Sequence, residues 1–257
     1  MNRPTPSGPF LLVLLVSFSL VSIASASGAA NRSARTAADA RPIPPRIAGQ
    51  FEELHRAAPR LDSRVLALAL SAASCATRTG AAPEARYLGV IDYSLPSTRR
   101  RFWLFDLEKN RLLTRELVAH GINTGGNRAT RFSNTEGSRQ SSLGLFRTAE
   151  TYYGRNGYSL RLDGLEAGIN ELARPRAIVM HGAWYVTDQF AQQHGRLGRS
   201  WGCPALDEAV SRKVIDRIQG GHLVFSYYPD EEWLRSSQFL QCPASQPFQQ
   251  TMVAAAQ

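Results

Sequence analysis

Cys203 stands in the run Arg199-Ser200-Trp201-Gly202-Cys203-Pro204, and His181-Gly182 lies upstream, at the end of the apolar run Ala177-Ile178-Val179-Met180. A thiol becomes a nucleophile near neutral pH when a base removes its proton, and imidazole is the usual base. The pair predicts covalent acyl transfer, with Cys203 as nucleophile and His181 as base. The carbonyl of Gly182 is placed to accept the Nδ1 proton, which leaves Nε2 for the thiol. Gly202 lets the backbone come close to a substrate. N–H groups around Gly202 and Cys203 can receive an oxyanion, often the largest catalytic contribution. A histidine and a cysteine this far apart do not define a site by spacing alone.

Other polar and aromatic residues have plainer readings. His194 lies in the polar stretch Gln193-His194-Gly195-Arg196 and reads as exposed, or as part of a lid. A zinc site from His181, His194 and Cys203 lacks short ligand spacing, so no metal is expected. His120 and His222 adjoin glycines and mark turns. Tyr152, Tyr153, Tyr158, Trp184 and Tyr185 read as core or groove walls. Ser141-Ser142-Leu143-Gly144 is either a strand entry or a wall of the site.

The elements that must position these residues follow from periodicity. Phe51 to Thr77 reads as helix, broken at Pro59 and restarted at Asp62. From Tyr87 the pattern turns to strands: 87–94, then 101–106 and 111–118 as a hairpin about Glu108-Lys109-Asn110. Segments 143–148, 159–162, 177–181 and 223–228 are further strands. Asp207 to Gly220 carries Val210, Val214, Ile215 and Ile218 at helical spacing. Between them, 119–142 is a long polar loop, a length that is often functional.

The ends of the chain bound its compartment. Phe10 to Leu20 is an apolar run of 11 residues after Arg3, followed by Ala24-Ser25-Ala26. This predicts a signal peptide over 1–26, cleaved after Ala26, and no transmembrane segment thereafter. An uncleaved anchor is the alternative. Removing 26 of 257 residues takes away one arginine and leaves a net charge of +8. Such a protein is drawn to anionic wall polymers or lipid, and export leaves nucleic acid as the least fitting partner. Cys75, Cys203 and Cys242 make an odd count. A Cys75–Cys242 bridge leaves Cys203 free; a Cys203–Cys242 bridge abolishes the site. Ser27 to Ala48 is rich in Ala, Arg, Pro and Ser and reads as a disordered linker.

His181-Gly182, seventeen residues, then Ser200-x-Gly202-Cys203 resembles the signature of the L,D-transpeptidase (YkuD-like) family. Phe132-Ser133-Asn134, Gly137-Ser138-x-Gln140-Ser141-Ser142-Leu143-Gly144 and Arg199 to Ala205 are similar to its murein L,D-transpeptidase catalytic-domain branch. The resemblance runs from about Tyr87 to Pro229. It implies a mainly β, α+β fold, with mixed sheets packed as a sandwich and an N-terminal helical segment. It divides the chain into 1–26 (signal), 27–48 (linker), 49–86 (helical segment), 87–230 (catalytic domain) and 231–257 (C-terminal tail). It implies an exported enzyme of periplasm or cell wall that acts on peptidoglycan stem peptides through a Cys203 thioester, needs no cofactor, and is open to acylation by carbapenem-type β-lactams. The catalytic groups it implies are Cys203, His181 and the Gly182 carbonyl; Ser200, Trp201, Gly202, Arg199, Ser142 and Gly144 shape the substrate and oxyanion site. The chain departs from the commoner pattern in two places. Trp201 stands where that pattern has His or Asn, and Ala205 where it has Arg. Arg199, Arg196 or Arg139 is then left to hold the donor's carboxylate. Two other readings remain: an L,D-carboxypeptidase or cross-link hydrolase with the same dyad, and a non-catalytic wall-binding protein with Cys203 bridged.

Overall fold

The computed structural model describes residues 45–242, and their side chains from residue 49 onward. The expected signal peptide and residues 27–44 of the expected linker lie outside the described residues, as does the chain beyond 242.

Two helices open the structure, α1 (Pro45–Ala57) and α2 (Ser63–Arg78). The helical segment begins before residue 49, where the sequence set its boundary. Asp62 caps α2 as expected, its carboxylate accepting from the N–H groups of Arg64 (2.8 Å) and Val65 (3.2 Å). No charged residue falls between Arg64 and Arg78, so α2 can be buried on nearly every side, and it is.

Nine strands follow: β1 (Tyr87–Asp92), β2 (Phe102–Asp106), β3 (Arg111–Glu116), β4 (Val118–Ala119), β5 (Gly144–Gly154), β6 (Gly157–Gly164), β7 (Val179–Gly182), β8 (Ala205–Leu206) and β9 (Leu223–Tyr227). The β-rich mixed fold behind an N-terminal helical segment agrees with the sequence. Its strands are hydrogen-bonded into one sheet, in the order β3-β2-β1-β9-β5-β6-β7-β8-β4. Continuity comes from β9, which pairs parallel to β1 on one side and antiparallel to β5 on the other. Both β1 and β9 are buried along their whole length, as their largely apolar sequences allow, with Asp92 and Ser226 the buried polar members.

Three shorter helices complete the fold: α3 (Asp188–His194), α4 (Glu208–Ile218) and α5 (Glu231–Ser236). Asp207 caps α4, which buries Val214, Ile215 and Ile218. Strand β5 runs to Gly154, past the expected end at Thr148, because its pairing with β6 shifts register between Thr148 and Thr151 and hides the alternation. The segment from 231 to 242 is part of the folded body rather than a tail. Trp233 buries its ring near Phe225 and Tyr227, Phe239 and Leu240 are buried, and Cys242 is bridged to Cys75 of α2. Among the described residues no helix is long and apolar enough to cross a membrane.

Candidate active site

His181 is the third residue of β7, paired with Ser159 of β6 on one side and with Ala205 of β8 on the other. It is 4% exposed. Its Nδ1–H donates to the Gly182 carbonyl at 2.8 Å, so the remaining nitrogen, Nε2, keeps its lone pair. Burial holds the ring below its ordinary pKa, and the imidazole is neutral near pH 7. Gly182 packs on α4: a Cβ there would lie 2.5 Å from Ser211 Oγ and 3.3 Å from Glu208 Cα.

The disulfide question is resolved by position. Cys75 and Cys242 are bonded with their Cα atoms 6.1 Å apart, and Cys203 is free. Cys203 is 7% exposed, just before β8. Its sulfur accepts from Val179 N–H at 3.4 Å and donates to the Ala177 carbonyl at 3.5 Å. It makes no hydrogen bond to His181. Burial raises the thiol pKa, while the Val179 N–H and the Arg176 guanidinium act in the opposite sense. The resting pair is therefore a neutral thiol and a neutral imidazole.

The turn before Cys203 is closed by side chains. Ser200 Oγ accepts from Gly202 N–H (3.1 Å) and donates to the Cys203 carbonyl (2.6 Å). That bond takes up the Gly202 N–H, one of the two oxyanion donors expected from the sequence. The Cys203 N–H acts to lower the pKa of its own thiol, against the effect of burial. Its orientation is set from behind: Ser141 Oγ donates to the Gly202 carbonyl at 2.9 Å and accepts from Gly121 N–H at 3.0 Å. In a trans peptide the C=O and N–H point to opposite sides, so anchoring the Gly202 oxygen turns the Cys203 N–H the other way. Gly202 itself adopts φ 125°, and a Cβ there would sit 2.8 Å from the Gln140 carbonyl.

Sequence reasoning missed Arg176, and it read Ser141 only as part of a strand entry or site wall, not as the residue that holds the Gly202 carbonyl. Arg176 is half-buried, just before β7. Its Nη1 donates to Ser133 O (2.6 Å) and Ser142 Oγ (2.5 Å), and its Nη2 to Gln140 O (2.7 Å) and Ser138 Oγ (3.1 Å). One guanidinium thus gathers the 133–142 loop. The next residue, Ala177, adopts φ 54° and presents to the thiol the carbonyl noted above. A lone arginine ahead of an apolar run carries no sequence signal for such a role. Ser142 is held within this network, its hydroxyl donating to Ser133 O at 2.8 Å. Gly144 is buried at the start of β5, where a Cβ would meet Glu166 Oε1 at 2.6 Å and Asn170 Nδ2 at 2.8 Å.

The other residues named from the sequence have contacts of their own. Arg199 Nη1 donates to the carbonyls of Gly125 (3.2 Å) and Ile122 (3.5 Å), and Arg196 to that of Leu197 (2.9 Å). Ala205 is fully buried opposite His181. Trp201 is 62% exposed, with the Arg139 and Arg155 guanidiniums 4.6 and 5.7 Å from its ring centroid. Tyr185 packs against Gly198, and burial pushes its hydroxyl up to about 12. His194 is exposed and stacks on Phe190 at 4.2 Å. His222 accepts from Arg86 N–H at 3.2 Å. His120 is a buried scaffold residue rather than a simple turn marker. Its Nδ1 accepts from the buried Arg101 at 2.7 Å, its carbonyl receives Ser200 N–H at 3.0 Å, and burial beside Arg101 pushes its pKa down to about 3. Among the described residues no three His, Cys, Asp or Glu side chains gather as a metal site.

A family model described as the L,D-transpeptidase catalytic domain matches residues 57–227. No curated protein matches the chain. Among solved structures the chain is similar to an L,D-transpeptidase from Mycobacterium smegmatis, at 14% identity over 56% of this chain and 59% of that one, with a TM-score of 0.36. It is also similar to L,D-transpeptidase 1 of Mycobacterium tuberculosis (12% identity, 56% and 62%, TM-score 0.32). A third is L,D-transpeptidase 3 of the same organism in complex with a faropenem-derived adduct (13%, 55% and 59%, 0.33). The chain spans about three fifths of the length of these relatives.

Proposed function

The chain belongs to the L,D-transpeptidase catalytic-domain family, and from that premise we propose that it is an exported cysteine acyltransferase acting on peptidoglycan stem peptides. In the proposed first step His181 Nε2 takes the Cys203 proton and the sulfur attacks the diaminopimelate carbonyl of a tetrapeptide stem. A carbon–sulfur bond forms, the bond to the terminal D-alanine breaks, and the imidazolium returns its proton to the leaving amine. The side-chain amine of a second diaminopimelate then attacks the thioester. The cross-link forms, and the thiolate recovers its proton through His181. The Cys203 N–H receives the oxyanion in both steps. Because the thiol rests against Ala177 and Val179, it must turn toward His181 before attack, and catalytic hydrogen bonds commonly tighten only once substrate is bound.

The observation that carries this reading is the 2.8 Å bond from His181 Nδ1 to the Gly182 carbonyl. It leaves a basic nitrogen on the strand beside the free cysteine. The Cys75–Cys242 bridge supports export, since structural disulfides persist in oxidising compartments. So does the Phe10–Leu20 run ahead of Ala24-Ser25-Ala26, and the location proposed is periplasm or cell wall. Carbapenem-type β-lactams are proposed to acylate the same thiol.

The test is to incubate the purified protein with disaccharide tetrapeptide and acceptor, and to analyse both protein and products by mass spectrometry. A thioester on Cys203 and a cross-linked dimer are expected, and neither from Cys203→Ala. Release of D-alanine without a dimer assigns water as the acceptor, giving an L,D-carboxypeptidase. A Cys203→Ala protein that still turns over sinks the proposal. A native thiol that takes up no reagent points to the non-catalytic wall-binding reading.

A further inference from the structure

Trp201 lies two residues before the nucleophile and is among the most exposed large side chains of the described residues. Two guanidiniums stand over it, from Arg139 at 4.6 Å and Arg155 at 5.7 Å. Arg155 occupies the turn between β5 and β6, beyond the point where Ser159 pairs with His181, so this hairpin projects past the end of β7 toward Trp201. Arg139 belongs to the loop whose next residue, Gln140, touches Gly202. Three segments distant in sequence thus bring their side chains together at the rim of the site.

The charge pattern is the informative part. Elsewhere on the same hairpin Arg147 pairs with Asp163 and Arg161 with Glu150, and nearby Arg174 takes both of those carboxylates. Among the described residues Arg139 and Arg155 have no carboxylate within ion-pair distance and no side-chain hydrogen bond, and their guanidiniums lie over the indole. Two like charges gathered on one ring repel, and nothing in the described chain neutralises them. The Arg139 backbone is also held in an uncommon state. Its φ is 53°, its carbonyl accepts from Asn123 N–H at 3.2 Å, and Gly121 leaves room for it, since a Cβ there would lie 2.5 Å from that oxygen. Non-glycine residues persist in this conformation where the surroundings over-determine it, and such positions cluster at ligand clamps.

We propose that Arg139, Arg155 and Trp201 form an anion-receiving subsite that takes the free side-chain carboxylate of diaminopimelate in the stem peptide while the indole covers the peptide's aliphatic part. The assignment of a stem peptide rests on the function proposed above; the anion preference rests on the two unpaired guanidiniums. Guanidinium suits this task, because its planar fork matches a carboxylate and it stacks on an aromatic face without losing its donors. Arg199 and Arg196 are engaged by backbone carbonyls and Ala205 is buried, which leaves Arg139, of the arginines named from the sequence, as the one whose side chain makes no hydrogen bond.

The test uses the full chain carrying Cys203→Ala, so that binding is read without turnover. Calorimetry is run with a tetrapeptide whose diaminopimelate side-chain carboxylate is free, and with the same peptide amidated there. The free acid is expected to bind roughly tenfold more tightly than the amide, with a preference that shrinks at high salt. Adding R139Q and R155Q together should erase the preference while leaving the amide's affinity and the melting temperature unchanged. The proposal is overturned if the two arginine changes leave the preference intact, if both peptides weaken equally, or if the free acid does not bind. Thioester formation by the unmutated protein is read separately. Carboxylate discrimination without a thioester retains the subsite and removes the catalytic reading, and a thioester without discrimination does the reverse.

Discussion

Ser141 Oγ and the carbonyl of Gly202 are hydrogen-bonded at 2.9 Å across a sequence separation of 61, and this contact aims the backbone N–H of Cys203. The hydroxyl is buried, and it also ties Gly121 into the same network. In the proposed mechanism an oxyanion held by the Cys203 N–H would depend on a side chain that lies on the opposite side of that peptide.

Replacing Ser141 by Ala should slow acylation of Cys203 by about ten- to a hundredfold, less than loss of a direct oxyanion donor. Two buried partners lose a bond, so stability should fall by about 1–3 kcal/mol. Stopped-flow acylation and denaturant melts separate the effects. A stability loss with unchanged acylation removes the aiming role.

Thiol reactivity should rise with pH toward a midpoint above the ordinary cysteine value, because burial disfavours the thiolate. His181 is depressed, so the acid limb of turnover should fall below the usual imidazole value of about 6.5. Iodoacetamide labelling against pH checks the first, and the pH profile of kcat/KM the second. Labelling that is already at its plateau near pH 5 indicates a preformed ion pair and contradicts the neutral resting state.

Arg176→Gln should release the 133–142 loop, since four hydrogen bonds converge on that guanidinium. The expected result is a fall of roughly tenfold or more in kcat/KM, with the labelling midpoint of Cys203 moving further upward because a nearby positive charge is lost. Arg176→Lys keeps the charge and loses the fork, so it should restore the midpoint but not the rate. A midpoint that does not respond to either change leaves Arg176 a purely structural residue.

The protein should lose stability on mild acidification. His120 is held near pKa 3 in the fold and returns to about 6.5 when unfolded, so the unfolded chain takes up the proton first as pH falls. This contribution is complete above about pH 6.5 and is lost through the window down to about 3, at a slope of up to about 1.4 kcal/mol per pH unit. Urea midpoints at pH 7 and pH 5 measure it. His120→Gln should flatten the dependence, and an equally steep dependence in that variant contradicts the assignment.

Cys203 and His181 could be singled out as the proposed catalytic pair because each carries chemistry in its side chain and sits beside a glycine. The two N-terminal helices and most strands were legible from periodicity and from Asp62 and Asp207, whose carboxylates mark helix starts. Strands β4 and β8 have two residues each, too few to show a period. The roles of Ser141 and Arg176 exist only because the loop returns to the thiol: Arg176 reaches back 43 residues to Ser133. Serine and arginine are unremarkable in sequence, and only the fold decides what they touch. The Gly202 N–H shows the converse, a donor assigned from sequence that Ser200 has already engaged.

Strand β9 has a consequence in time as well as in space. It lies inside the sheet between β1 and β5, yet it is the last of the described strands to be made, and Cys242 follows it. Until it emerges, β1 and β5 have no common neighbour, and Cys242, the partner that Cys75 takes in the fold, has not yet been made. The nine-stranded sheet therefore joins into one piece only after the segments that carry His181 and Cys203 have been made.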